Sequence, residues 1–362
     1  MKKLRKCLAF VFFLFIFGCS NEDAQPNIAV MVSPSPTPTP SPTPTPLPEG
    51  MYRSELTGEL ISEDIKNQRP IAVVVDNEKT SLPHFGLNEA DIVYEMVNST
   101  WNSYVTRLLA IYKDWDQIEM VGSIRSARPT HVLIAGEYNA VLCHDGGPVY
   151  IYDYLNQSAF KDHFSATFSR VDNGKAYEFT EYILPGDLDK NFKDYKVSKE
   201  YTEYKQERNN HFVFVDLDEK LDLSAYNNAQ SALEVQLPFY HNGSTLKYNA
   251  STDSYDYYVY GEKHLDGDTS EILSFTNVII QICDYHSYDS GGYMIYDVLG
   301  HNEEAYYLTG GKLIPITWIK DEEEVMTRYF FESGKELTLN NGNTYIALVP
   351  PDFLNDLVIV GG

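Results

Sequence analysis

Between Ser33 and Pro48 every second residue is proline, and that alternation decides which part of the chain is able to fold. Each proline removes a backbone donor and fixes φ, so neither a helix nor a sheet ladder runs through the stretch. The expectation is an extended stalk that reaches roughly 50 Å at ~3.1 Å per residue. Serine and threonine alternate with the prolines, a composition that also suits O-linked sugars. Folding is left to the residues from about Met51 to Gly362, enough for two domains of ordinary size.

The residues before the stalk carry an address. Lys2, Lys3, Arg5 and Lys6 precede an unbroken apolar run, Leu8 to Phe17, and Gly18 and Cys19 follow at once. That is a secretory signal layout, with an apolar run too short to span a bilayer comfortably. The Gly-Cys step resembles the lipobox of bacterial lipoproteins, although Ile16 and Phe17 stand where leucine and a small residue are usual. The resemblance implies that Cys19 is lipidated and becomes the mature N-terminus. The lipid bilayer is then a partner, and the body sits on the extracytoplasmic face of the cell membrane. An uncleaved N-terminal anchor gives the same topology. The expected organisation is a signal peptide over 1–19, a Pro/Thr/Ser-rich stalk over 20–50, and domains over 51–209 and 210–362.

A formal charge of -24, which deepens if the basic signal is removed, repels nucleic acid and anionic surfaces. Nucleic acid is not an expected partner, and any anion site must be local. Cys143 and Cys283 sit in apolar strand-like runs. Export permits a disulfide, but two buried thiols in separate cores are the commoner arrangement. Neither has a second ligand at zinc spacing, so no metal and no cofactor are expected. The run Asp266 to Glu271 is too short for a calcium loop and reads as a polar turn. The acidic run Asp321 to Glu324 reads as a solvated loop.

From Arg69 to about Asn209 short apolar strands alternate with turns and helices. "PIAVVVDN" is a continuous β-branched run of the kind buried on both faces. "ADIVYEMV", "YVTRLLAIY" and "VGSIR" read as further strands. Pro129 fixes a first helical turn, the helix runs to about Tyr138, and "AVLCH" returns as a strand before a glycine turn and another helix. The fold class expected for this half is mixed α/β, with ligands gathering at the carboxyl ends of strands. Beyond about Asn210 the runs are aromatic and β-branched, separated by Asn-Gly, Gly-Gly and Ser-Gly turns, and a mainly antiparallel β domain is expected.

The ordered series "RPIAVVVDN", "FGLNEADIVYE", "TRLLAIY", "VGSIRSARP" and "EYNAVLCHDGG" resembles the YerB-like family of bacterial lipoproteins, and "TNVIIQ", "ITWIK" and "NGNTYIALVP" resemble that family's C-terminal domain. The resemblance runs from about Arg69 onward. It implies a tethered cell-envelope protein and brings no activity, substrate or cofactor. "GKAYEFTEY" lacks the histidine common there, and Tyr260 stands where an arginine is common, while His264 and Asp266 are kept.

Chemistry concentrates in "VGSIRSARPTHVLIAGEY". Pro129 places Ser126, Ala127 and Arg128 around a helix N-terminus, where unpaired amides already favour an anion. Arg125 and Arg128 add planar forks suited to carboxylate or phosphate. One reading is an oxyanion pocket of Ser123, Arg125, Ser126 and Arg128, with Arg107, Asp76, Asn77 and Glu95 nearby. The other is internal pairing of the arginines with Asp76, Glu95 or Glu137. His144 and Asp145, at a strand end before two glycines, are candidates for proton transfer; equally, such a pair often closes a turn. Two functions remain open: a binding protein for an anionic cell-wall fragment or envelope protein, and a hydrolase or transferase acting on a wall polymer with His144 as acid/base. Proton transfer requires His144 within reach of a carboxylate and open to a cleft.

Overall fold

The computed structural model describes residues 47–202 and 212–362. The signal sequence, Cys19, nearly all of the stalk and the expected boundary near residue 210 lie outside the described residues. Among those described, no helix is long and apolar enough to cross a membrane.

Eleven strands form the main sheet: β1 Ile71–Asp76, β2 Ile92–Val97, β3 Thr106–Tyr112, β4 Val141–His144, β5 His163–Ser165, β6 Gln230–Ser231, β7 Asn277–Ile282, β8 Gly300–Thr309, β9 Lys312–Lys320, β10 Arg328–Phe331 and β11 Thr344–Val349. Their order is β6-β9-β8-β7-β11-β2-β3-β1-β4-β5, with β10 on β9. β1, β2 and β3 are buried at every position, as their uninterrupted apolar runs require. Strands dominate both halves. The α/β character expected of the first half reduces to one stretch, in which β1 and β4 pair in parallel across helix α1, Pro129–Glu137, and β4 and β5 pair in parallel across a short helix, Tyr152–Leu155. The second half is mainly antiparallel as expected, and its six-stranded sheet is antiparallel throughout.

The two halves share one sheet. β11 lies parallel to β2, from Thr344 beside Ile92 to Leu348 beside Met96, and one contiguous core contains Cys143 and Cys283 together. Separate cores were the expectation; the pairing of β11 with β2 fuses them. Both thiols are free and buried, and burial pushes both well above the ordinary thiol range.

Polar pins cross the same junction. Glu95 on β2 is fully buried and accepts from Asn77 Nδ2 at 3.1 Å, Thr106 Oγ1 at 2.7 Å, Ser244 Oγ at 2.7 Å, Tyr257 OH at 2.8 Å and Tyr345 OH. Lys320 at the end of β9 meets Glu137 of α1 at 2.8 Å with both side chains buried. Asp266 accepts from the amide of Gly86 at 2.8 Å and also from the amides of Asp268 and Thr269, so the run 266–271 is a turn that clasps the other half. Tyr260 OH donates to the Asn77 carbonyl at 2.7 Å. Of the family-related positions, Tyr260, His264 and Asp266 thus serve as fasteners.

His84 and His264 complete this seam. His84 Nε2 donates to the Asp76 carbonyl at 2.6 Å, which leaves His84 Nδ1 as acceptor for His264 Nε2–H at 2.9 Å. His84 is thereby a neutral tautomer, and the buried Nδ1 of His264 meets no acceptor that would hold a second proton there. Burial lowers His84 to about 4, and burial together with the neighbouring His84 lowers His264 to about 3. A base with a depressed native pKa binds fewer protons folded than unfolded, so its contribution to stability fades as pH drops below about 6.5. Asp91 and Glu181, pushed up to about 7 by burial, act with the opposite sign. The histidine part is isolated by His264→Gln, which keeps a donor for His84. Between pH 7.5 and 5 the wild type should lose about 2 kcal/mol more stability than His264→Gln, read from urea midpoints at each pH; equal losses exclude the neutral pair.

Candidate functional site

The arginine loop is fastened on three sides. The Arg125 amide donates to the Val74 carbonyl at 2.8 Å, and the Asp76 amide to the Ser123 carbonyl at 3.0 Å. The Ile124 amide bonds the Glu181 carbonyl, the Asp145 amide bonds the Arg125 carbonyl, and the Ala127 amide bonds the Gly146 carbonyl. Residues 123–128 therefore run along the carboxyl ends of β1 and β4, where a strand-end site is expected. Arg107 reaches the same place from β3, since its register partner on β1 is Asp76, and its Nη1 donates to the Ser126 carbonyl.

Helix α1 begins there. Arg128 is its N-cap and Pro129 its first residue, as the proline predicts. His131 Nδ1 accepts from the Arg128 amide at 2.8 Å, so its proton is on Nε2, which has no partner in this structure. Burial, with Arg107 and Arg128 beside it, holds His131 neutral.

A cleft of about 390 Å³ opens at this point. Arg107, Arg125, Ser126 and Arg128 form its charged side; Asn98, Ser99, Trp101, Val105, Gly147, Pro148 and Tyr293 complete it. Gly147 packs where a Cβ would lie 2.4 Å from Ile151 Cδ1 and 3.0 Å from the Ala127 carbonyl oxygen, so the second glycine after His144 answers to packing at the cleft wall.

The three guanidiniums are compensated unequally. Arg125 is braced internally: its Nε meets Asp76 Oδ2 at 2.7 Å and its Nη2 meets Glu178 at 3.2 Å. Arg128 is 4 % exposed. Its Nη1 donates to the Ala127 carbonyl, its Nε has no acceptor, and its guanidinium lies 4.1 Å from the Tyr293 ring centroid. Burial pulls Arg128 down to about 10; burial and then the Arg128 charge pull Arg107 well below its ordinary range. Guanidinium groups remain protonated in proteins, so these directions express the desolvation cost of keeping a charge buried. The buried carboxylate beside Arg107 is Asp76, which Arg125 already holds, and the carboxylate that acts on Arg128 is Asp289, with no salt bridge between them. Internal pairing thus describes Arg125, whereas Arg128 and Arg107 line the cleft without a carboxylate salt bridge among the described residues.

Several sequence candidates lie elsewhere. Ser123 is fully buried behind the loop. Asn77 and Glu95, expected near a ligand, are bonded to each other in the seam, because the second half covers the ends of β1 and β2. His144 is fully buried; its Nδ1 meets the Gly146 carbonyl at 2.7 Å and its Nε2 meets His163 Nδ1 at 3.0 Å. Asp145 turns to Arg170 at 2.9 Å, which also holds Glu181 at 2.8 Å. The carboxylate and the opening that proton transfer requires are therefore not what surrounds His144; burial lowers it to about 4. Residues missed in the sequence are Asn98, Ser99, Trp101 and Tyr293. The signal for Trp101 was a lone tryptophan within "NSTWNSY", while Tyr293 had none.

The chain matches the family model described as "Protein of unknown function (DUF3048) N-terminal domain" over residues 56–201 and the corresponding C-terminal domain over 235–346. It is 26% identical over 356 residues to "Putative lipoprotein YerB" of Bacillus subtilis (strain 168), covering 95% of this chain and 93% of the relative. The crystal structure of YerB protein from Bacillus subtilis has a similar fold, with a TM-score of 0.71 at 21% identity, covering 85% of this chain and 99% of that one.

Proposed function

This chain belongs to the YerB-like family, whose two domains carry no known function, and we propose that it is a membrane-anchored extracytoplasmic lipoprotein that binds an anionic cell-wall fragment or partner protein in the arginine cleft. The observation that carries the reading is the pairing of Arg128, nearly buried and without a carboxylate partner among the described residues, with the open volume beside it. A charge left in that state costs stability, and the cost is recovered only when an anion arrives. Cys19 supplies the tether and the proline-rich segment the distance. An anion-binding role needs no residue to titrate, so the buried, neutral His144 is no obstacle to it, whereas a proton-transfer role has nothing here to support it.

Thermal shift with inorganic phosphate, acetate and wall fragments tests this. A ligand at 100 times its Kd should add about 2.7 kcal/mol to the unfolding free energy of the wild type. Arg125→Ala should behave differently from changes at Arg128. It strips a partner from buried Asp76, and the unbound protein should lose about 1–3 kcal/mol, less than for a fully buried pair because Arg125 is partly exposed. An Arg125→Ala variant as stable as wild type argues against the bracing assigned to Asp76.

A further inference from the structure

Resting on the anion-cleft reading, we infer that the ligand is an acidic saccharide, a pyranose whose carboxylate or phosphate lies on Arg128 and Arg107 and whose apolar ring face lies on the indole of Trp101. Three features point to a sugar. The first is the platform. The other two tryptophans, Trp115 and Trp318, are 2% and 1% exposed, whereas Trp101 lines the cleft at 62%. Its loop is held: the Trp101 amide donates to Ser99 Oγ at 3.1 Å, and the Thr100 amide to the Gly292 carbonyl at 2.9 Å. Gly292, at φ +71, lies so close beneath that a Cβ would come within 2.4 Å of Thr100 Oγ1 and 3.3 Å of the indole. An aromatic face carries partial negative charge and prefers the weakly positive C–H edge of a partner, which a pyranose presents on its apolar side.

The second is continuity between platform and cation. Trp101 and Tyr293 lie with ring centroids 6.5 Å apart, and the Arg128 guanidinium covers the Tyr293 ring at 4.1 Å. One ligand can therefore touch the indole with its ring and the guanidinium with a charged substituent. The third is the character of the wall between them. Asn98 is buried with its amide oxygen unpartnered, and Ser99 and Ser126 stand beside it. An orphan acceptor is relieved by a hydroxyl. A peptide carboxyl terminus would instead want an aliphatic side-chain pocket, and the aliphatic lining here is Val105 and Pro148. The volume, about 390 Å³, falls at the low end of the ~300–1,000 Å³ of ligand pockets, as suits a single substituted ring.

The test is calorimetric titration of the full chain, its Trp101→Ala, Trp101→Phe and Arg128→Met variants, with D-glucuronate, glucose 6-phosphate, acetate, inorganic phosphate, N-acetylglucosamine and hippurate. An acidic sugar should bind at least tenfold more tightly than the matching bare anion, with N-acetylglucosamine weaker than either. Glucuronate against glucose 6-phosphate tells carboxylate from phosphate. Trp101→Ala should erase the tenfold margin, and Trp101→Phe should keep most of it. If bare anions bind as well as acidic sugars and Trp101→Ala leaves that ratio alone, the saccharide inference falls while the anion cleft stands. If hippurate outcompetes the sugar acids, the ligand is a peptide terminus and the inference is overturned. If no anion binds and Arg128→Met matches wild type, the cleft reading itself fails.

Discussion

Replacing Glu95 by alanine is expected to cost the fold about 4–5 kcal/mol, close to the upper end for a single substitution. The carboxylate is the common acceptor for Asn77, Thr106, Ser244, Tyr257 and Tyr345. Each donor left buried without a partner costs roughly 1–3 kcal/mol, though the sum is reduced because some find one another. Ser244 and Tyr257, already 3.1 Å apart, are such a pair. Burial raises the Glu95 pKa while its donors pull it back, so Glu95→Gln, which turns one acceptor into a donor facing other donors, should fall between alanine and wild type. Urea midpoints with a common slope decide it. A loss below about 1 kcal/mol would show that the donors are satisfied by other means.

Methionine at position 128 should do the reverse, stabilising the unbound protein by about 1–3 kcal/mol while abolishing its response to anions. Exchanging a buried charge for an apolar side chain of similar reach removes the desolvation cost and fills the same space. Alanine is the poorer test because it adds a cavity. A gain in stability coupled to a loss of binding is the mark of a residue kept for its ligand. Arg128→Met that is both less stable and equally responsive would assign the guanidinium a purely structural role over the Tyr293 ring.

Much of this was legible in the chain. The β-branched runs over Ile71–Asp76, Ile92–Val97 and Thr106–Tyr112 became buried strands, and Pro129 opened a helix where its missing amide is harmless. Arg107, Arg125, Ser126 and Arg128 did converge on one cleft. What local pattern could not reveal is pairing between distant segments. Thr344–Val349 beside Ile92–Val97 is a contact between opposite ends of the body, and hydrophobic periodicity says which face is buried, not against what. The same gap misplaced Asn77 and Glu95. Polar residues near strand ends read as ligand groups, and only the fold shows that Ser244, Tyr257 and Tyr345 cover them. Asn98 and Tyr293 likewise come from segments far apart in the chain, joined by the bridge between Ser99 and Tyr293 and the bond from the Met294 amide to the Asn98 carbonyl.

The parallel contact between β2 and β11 also bears on descent. A gene that lost the second half would leave β2 with a bare strand margin and Glu95 without Ser244, Tyr257 and Tyr345, and one that lost the first half would leave those three donors without their acceptor. Duplication, fission or shuffling at the apparent seam should therefore be purged, and the two parts should be inherited together, in one order, within a single reading frame.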